Sequence, residues 1–305
     1  MLRERLITKS YYYGTDKQML QKISWREQIR ASVGNESILI QAMHKAIGKR
    51  FRNTADIVRD RGISVAIAST SRLLYDDSIF EPLMKMYMDV SLYYAKRTYR
   101  ELLNRQESTS KGLKMPPEWK TITRFQPIWE DAINTFLRQH GVTFVGDINE
   151  TTRKDLLKIL GNAASANMKE GQVITALLNS KIPMTRATRI ARTEVTRALN
   201  AGILLAAATV PFETYKEWIT AEDERVRSNP FSHVTLHGTV LPLNQPFRNG
   251  EEIRFPGDPL ASADNVINCR CVLNILPNLD VLGRPIMREQ NILDTDILFR
   301  LTDLF

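Results

Sequence analysis

Residues Thr185 to Ile219 read TRATRIARTEVTRALNAGILLAAATVPFETYKEWI, and the chain changes character inside this stretch. As far as about Thr209 it is rich in alanine and arginine and keeps a helical pattern, so a long helix is expected there. From Phe212 to Ile219 aromatic and β-branched residues approximately alternate, which is the mark of a strand. A helix handing over directly to a strand divides the chain into a helical part before it and a mixed part after it.

Upstream, everything reads as helix. Ile38, Ile40, Met43, Ile47, Phe51 and Ile57 recur at largely helical spacing as far as about Asp60, with no proline among them. A second helical stretch covers about Asp77 to Arg105 and carries Phe80, Leu83, Met84, Tyr87, Val90, Tyr94 and Tyr99. Residues 107–117 are polar, small and punctuated by Pro116 and Pro117, which predicts a linker or an exposed loop. Short helices are expected around 128–139 and 152–160, the second ending at Gly161, and another over 171–179 before a break at Pro183.

Downstream, Cys271 to Leu276 is a short apolar run closed by Pro277 and reads as a second strand. The stretch between the strands holds Pro230, Gly238, Pro242, Pro246, Gly250, Pro256, Gly257 and Pro259. A segment this long and irregular must satisfy its backbone groups internally. The expected class is therefore α+β: a mainly helical N-terminal region followed by a small mixed α+β domain with short strands. The divisions are a basic arm over 1–37, a helical domain over 38–183, the mixed domain over 184–277 and a tail over 278–305.

Composition sets the outer bounds. With 305 residues, 43% hydrophobic and 25% charged, the chain has apolar material for one or two cores. No apolar run approaches the roughly 20 residues of a membrane span. The N-terminus lacks the apolar core of a secretory signal, so a soluble, non-exported product is expected. Two cysteines, Cys269 and Cys271, stand one residue apart, too close for an unstrained disulfide, so reduced thiols are expected. Net charge is +8, which favours polyanionic partners. Residues 1–60 carry twelve basic side chains against six acidic ones, most of the excess. Within them Lys45, Lys49, Arg50 and Arg52 are candidate DNA contacts, the plain alternative being a solvated helical surface. No sequence-reading DNA or RNA motif is present.

Three pieces in fixed order carry a resemblance. The first is Ile190-Ala191-Arg192-Thr193-Glu194-Val195-Thr196-Arg197-Ala198-Leu199-Asn200-Ala201-Gly202. The second is Trp218-Ile219-Thr220, then Asp223-Glu224-Arg225-Val226-Arg227, His233, Leu236-His237-Gly238, Leu241-Pro242-Leu243 and Phe247. The third runs from Pro256-Gly257 to Asn268-Cys269-Arg270-Cys271-Val272. Together, over roughly Met184 to Pro277, they resemble the Mu F-like head-morphogenesis family of tailed bacteriophages. Members of that family are minor capsid or head-morphogenesis proteins, associated with the portal and the packaged DNA and in some cases delivered with the genome. The resemblance implies a non-enzymatic virion component of the capsid interior near the portal, assembled in the host cytoplasm. Its implied partners are portal protein, major capsid or scaffolding protein, and packaged double-stranded DNA. It marks Arg192, Thr193, Glu194, Asn200, Trp218, Asp223, Arg225, Gly238, Phe247 and Arg270 as structural motif residues.

On the long helix, Glu194 and Arg197 are neighbours, being three apart. Arg192 and Glu194 are expected to reach the loop holding Asp223 and Arg225 and to lock helix to loop. His233, His237, Cys269 and Cys271 form a second constellation, since two thiolates and two imidazoles suit tetrahedral zinc. Against zinc stand the unusual C-x-C spacing, the poor helix sequence around Val234, Thr235 and Gly238, and Val266-Ile267-Asn268 where family members often have a histidine. The expectation is no cofactor, with zinc as the alternative to packed histidine and cysteine.

Enzyme readings have thinner support. Glu222-Asp223-Glu224 has the E-x-E form of an arginine ADP-ribosyltransferase and Ser69-Thr70-Ser71 imitates its S-T-S element, but the latter lies in helical sequence far upstream. A Cys269 protease would need a nearby base, and no Walker loop is present. An ejected DNA-binding or toxin-type effector is the alternative function. In the tail, Ile297, Leu298, Leu301 and Phe305 belong to an apolar stripe that reads as a docking peptide for portal or capsid protein, or as a segment folding back on its own domain.

Overall fold

The computed structural model describes residues 32–70, 77–109 and 117–288, with Arg26, Ile29 and Arg30. The helices are α1 (Ser32–Ser69), α2 (Phe80–Thr109, entered by a 3-10 turn at Asp77–Ile79), α3 (Pro117–Lys120), α4 (Gln126–Ser165), α5 (Glu170–Leu178), α6 (Ile182–Thr209) and α7 (Ala263–Val266). The strands are β1 (Thr214–Ile219), β2 (Val240–Pro242), β3 (Phe247–Arg248), β4 (Glu252–Ile253) and β5 (Val272–Pro277). The α+β class and the helix-to-strand change after Thr209 are as expected. Among the described residues no helix is long and apolar enough to cross a membrane.

These residues divide into two compact units, one drawing on Gly34–Met86 and Leu137–Arg192, the other on Tyr87–Phe136 and the chain from Thr193 onward. The first is helical. Ile47, Phe51, Ala55 and Val58 repeat every three or four residues on α1 and pack with Leu156, Leu160 and Ala163 of α4 and Val173 and Leu177 of α5. This packing corrects two expectations. The helices around 128–139 and 152–160 are one continuous helix, and Gly161 does not end it, because the buried stripe continues through Ala163. Pro183 does not break the chain either: it stands in the first turn of α6, where a missing N–H leaves no helical bond unmade.

The helix starting near Ile38 runs beyond Asp60, but Gly62 interrupts it with φ 81° and ψ 168°. Only glycine adopts that conformation without strain. We predict that Gly62→Ala lowers stability by about 1–3 kcal/mol. Gly146→Ala, in mid-helix with open space around it, should raise stability by about 1 kcal/mol. Urea denaturation of both variants checks the opposite signs.

In the second unit β1 is the centre of a three-stranded antiparallel sheet, order β2-β1-β5. Thr214 pairs with Pro277 at one end of the β1–β5 ladder and Ile219 with Val272 at the other. Every residue of β5 is buried, Asn274 included, whose amide donates to Glu217 Oε2 at 2.9 Å. A two-stranded hairpin, β3-β4, turns at Asn249-Gly250. From Ala198 to Ala208 helix α6 is buried all round, which explains its small side chains. At Gly202 it meets α2 so closely that a Cβ would stand 2.2 Å from the Ser91 carbonyl oxygen, and Ser91 Oγ donates to the Ala198 carbonyl at 2.9 Å. Gly202→Ala should therefore cost about 3 kcal/mol or more, since the obstacle is backbone that cannot swing aside; loss of midpoint in the same denaturation assay is the readout.

Of the tail expected from Asn278 onward, the part through Arg288 is held against the entrance to β1. Asn278 N donates to Glu213 O, Glu213 N to Ile286 O, and Arg288 N to Pro211 O, all within 2.8–2.9 Å. Ile297, Leu298, Leu301 and Phe305 lie outside the described residues, as do most of the basic arm and residues 110–116 of the linker.

Candidate functional site

The site grows from one face of α6. Thr193, Thr196, Arg197 and Asn200 are spaced three and four apart, so their side chains share that face. Each takes up backbone groups of the irregular segments. Asn268 N donates to Thr193 Oγ1 at 2.8 Å, and Thr196 Oγ1 donates to the Cys269 carbonyl at 3.0 Å. Arg197 Nε donates to the Gly257 carbonyl at 2.6 Å. Asn200 Nδ2 donates to the carbonyls of Pro256 (3.1 Å) and Cys271 (3.2 Å), while its Oδ1 accepts from Leu273 N at 2.8 Å. Gly257 has φ 88°, and a Cβ there would come within 3.0 Å of Arg197 Cα.

Glu194 supports this face from within. Its Oε2 accepts from Arg197 Nη1 at 2.6 Å and from the Tyr87 hydroxyl at 2.5 Å, all three being buried. Burial and then the adjacent Glu194 carboxylate push the Tyr87 phenol well above its ordinary value. Burial alone would lower the Arg197 guanidinium, but Glu194 more than offsets it and the net direction is upward.

The expected lock thus exists with different partners. Asp223 does not receive Arg192; it binds Arg270 in bidentate fashion at 2.8 and 2.5 Å and also accepts from Arg225 at 3.0 Å. The Arg270 hydrogen bonds hold the Asp223 carboxyl well below the usual carboxylate range. Arg192, in the helical unit, lies 3.4 Å from Glu36. Both terminal nitrogens of Arg270, beside strand β5, reach the carboxylate, the geometry that favours a bidentate pair. Arg50 is likewise corrected as a surface cation: it is 1% exposed and its Nη1 donates to Asn149 Oδ1. Lys45, Lys49 and Arg52 do share an exposed stripe of α1.

The locked segments bring three donor atoms together. His233 Nδ1 stands 3.4 Å from Cys271 Sγ and 3.6 Å from Cys269 Sγ, with all three residues buried. His237 is elsewhere: its Nδ1 meets Thr220 Oγ1 at 3.0 Å and its Nε2 lies 3.4 Å from Glu222. Both cysteines are free thiols. A hydrogen bond from Cys271 and the nearby His233 draw the Cys269 thiol well below its ordinary value, whereas burial raises Cys271.

Asn265, which sequence reasoning missed, sets the histidine ring. Its Oδ1 lies 2.6 Å from His233 Nε2, while its Nδ2 donates to Glu251 Oε1 at 2.6 Å. Arg227 donates to the carbonyls of Asn265 and of Ile267. Trp218 packs edge-on against both His233 (5.2 Å) and Phe247 (5.1 Å). Gly238, with φ 75°, donates its N–H to the Trp218 carbonyl at 2.8 Å. Of the motif residues, Trp218 therefore stands against the histidine, while Gly238 and Phe247 hold Trp218.

Residues 149–274 match the family described as Phage Mu protein F like protein. Those residues form a Mu F-like region. The matched region begins ahead of Met184, just past the middle of α4, and ends in β5. The "Uncharacterized protein YqbB" of Bacillus subtilis (strain 168) is 32% identical over 102 residues, covering 32% of this chain and 33% of that protein. The chain thus matches about a third of the relative's length. No solved structure matches.

The hydrogen bonds of Asn200 end on buried backbone, so their loss strands several groups at once. Asn200→Ala should cost on the order of 3 kcal/mol or more, at about 1–3 kcal/mol per stranded group. Arg248→Ala, which removes an exposed ion pair with Glu252, should cost under about 1 kcal/mol. Urea titration of the two variants side by side measures the contrast.

Proposed function

We propose that this Mu F-like protein is a structural minor head protein, working inside the capsid near the portal, in contact with packaged double-stranded DNA. It acts in capsid assembly and afterwards in DNA retention or ejection. The observation that carries the reading is the family match over residues 149–274, which supports a bacteriophage head-morphogenesis protein. The chemistry of the site agrees. The polar side chains of the α6 face are spent on holding neighbouring backbone, not on lining an open cleft. The exposed stripe of Lys45, Lys49 and Arg52 has the charge for phosphate contact, and the chain end carrying Ile297, Leu298, Leu301 and Phe305 is the segment assigned to portal or capsid docking.

One observation favours an enzyme. Cys269, His233 and Asn265 stand in the order of a nucleophile, a base and the group that orients the base. Two facts weigh against it: the three residues are at most 5% exposed, so no substrate reaches the sulfur, and a second thiol shares the same ring nitrogen. The ADP-ribosyltransferase reading fares no better, since Ser69 ends a helix and Thr70 Oγ1 bonds back to the Ala66 carbonyl.

The test is mass spectrometry of purified heads of the source phage, joined to capture of its portal protein by the purified chain. Capture should hold at both about 150 mM and about 500 mM salt. It should vanish on truncation after Arg288, which spares the hydrogen-bonded part of the tail. Absence from heads and no portal capture at either salt would overturn the proposal.

A further inference from the structure

The buried cluster is built as a ligand set. Tetrahedral zinc, with bonds of about 2.3 Å to sulfur and about 2.0 Å to nitrogen, holds its nitrogen and sulfur ligands roughly 3.5 Å apart. The two His233 Nδ1 to sulfur distances are 3.4 and 3.6 Å, and all three donor atoms lie within 4.8 Å of one another. Distance alone does not separate this from hydrogen bonding between thiol and imidazole. The number of thiols favours an ion: one ring nitrogen has one lone pair or one proton, yet two sulfurs converge on it.

Ring orientation adds independent support. A carboxylate only accepts hydrogen bonds, so Glu251 fixes the Asn265 amide with its NH2 toward Oε1 and its oxygen toward His233. His233 Nε2 must then carry the hydrogen it donates to that oxygen. The neutral ring accordingly turns the Nδ1 lone pair onto the two sulfurs. A metal-binding histidine needs this arrangement, with its outer N–H fixed by a carbonyl and its inner nitrogen free to ligate.

We propose that His233, Cys269 and Cys271 bind one zinc ion per chain, with Asn265 as the residue that positions the histidine. Three protein donors leave the fourth coordination position to a small ligand such as water. His237 is not a ligand, because its ring is engaged by Thr220 and Glu222. The ion joins the loop of His233 to the Cys269–Cys271 segment, which α6 already grips, and two thiolates neutralise its charge in the buried interior.

The experiment takes the full chain, reduced and stripped of metal, incubates it with zinc, desalts it and measures zinc per chain by inductively coupled plasma mass spectrometry. Cobalt(II) replaces zinc in a parallel sample, for its thiolate charge-transfer and tetrahedral ligand-field absorption. About one zinc per chain and both cobalt signatures are expected. Both should be lost in the Cys269→Ser/Cys271→Ser double variant and kept in His237→Gln. Less than about a tenth of an equivalent in the unaltered chain would overturn the proposal whatever the variants do. So would cobalt thiolate bands that survive loss of both cysteines, or binding that requires His237.

Discussion

Asn200 is the fixed point of the mixed unit. The Thr196 carbonyl of its own turn takes one amide hydrogen at 2.8 Å, and the rest of this buried amide needs partners elsewhere, because an unmet polar group in the interior costs as much as a lost hydrogen bond. Asn200 finds them on two segments distant in sequence, near Pro256 and near Cys271 to Leu273. Thr193, Thr196 and Arg197 extend the same grip along the helix. The long stretch between β1 and β5 has little regular secondary structure of its own, and this helical face takes the place of a ladder.

The grip sets the geometry of the cluster. Thr196 and Asn200 fix the carbonyls of Cys269 and Cys271, so both thiols are presented from a backbone already held in place. His233 arrives from the other segment and is oriented by Asn265, whose own position depends on Arg227 and Glu251. The buried Glu194–Arg197 pair adds definition more than stability, since desolvation consumes most of the attraction in such a pair.

Much of this was legible in the residues. The break in pattern after Thr209 located the change from helix to strand, and the order of the three motif pieces pointed to the family whose model matches residues 149–274. Spacing of three between Glu194 and Arg197 announced their pairing. The partners of Arg192 and Asp223 were not legible, because side-chain reach across a loop depends on a path that periodicity does not encode. Arg50 looked like its neighbours Lys49 and Arg52, and only the helix phase, which turns it inward to Asn149, sets it apart. Lys216 is a similar case: its charge points to solvent, yet it shares the buried face of β1 with Thr214 and Trp218, its Nζ donates to the Arg254 carbonyl, and burial lowers its pKa to about 7. Asn265 carried no signal at all, since nothing in the sequence around it separates an asparagine that orients a ring from one that caps or turns the chain.

The hold of α6 side chains on the irregular segments is tested most directly by native-state hydrogen exchange at two backbone amides. Asn268 N–H is bound by Thr193 Oγ1 and Leu273 N–H by Asn200 Oδ1. Both are expected to exchange slowly, opening together with the amides of α6 around Ala198 to Leu205 as one cooperative unit. Exchange of Asn268 and Leu273 at the rates of exposed loop amides, while α6 stays protected, would contradict that hold.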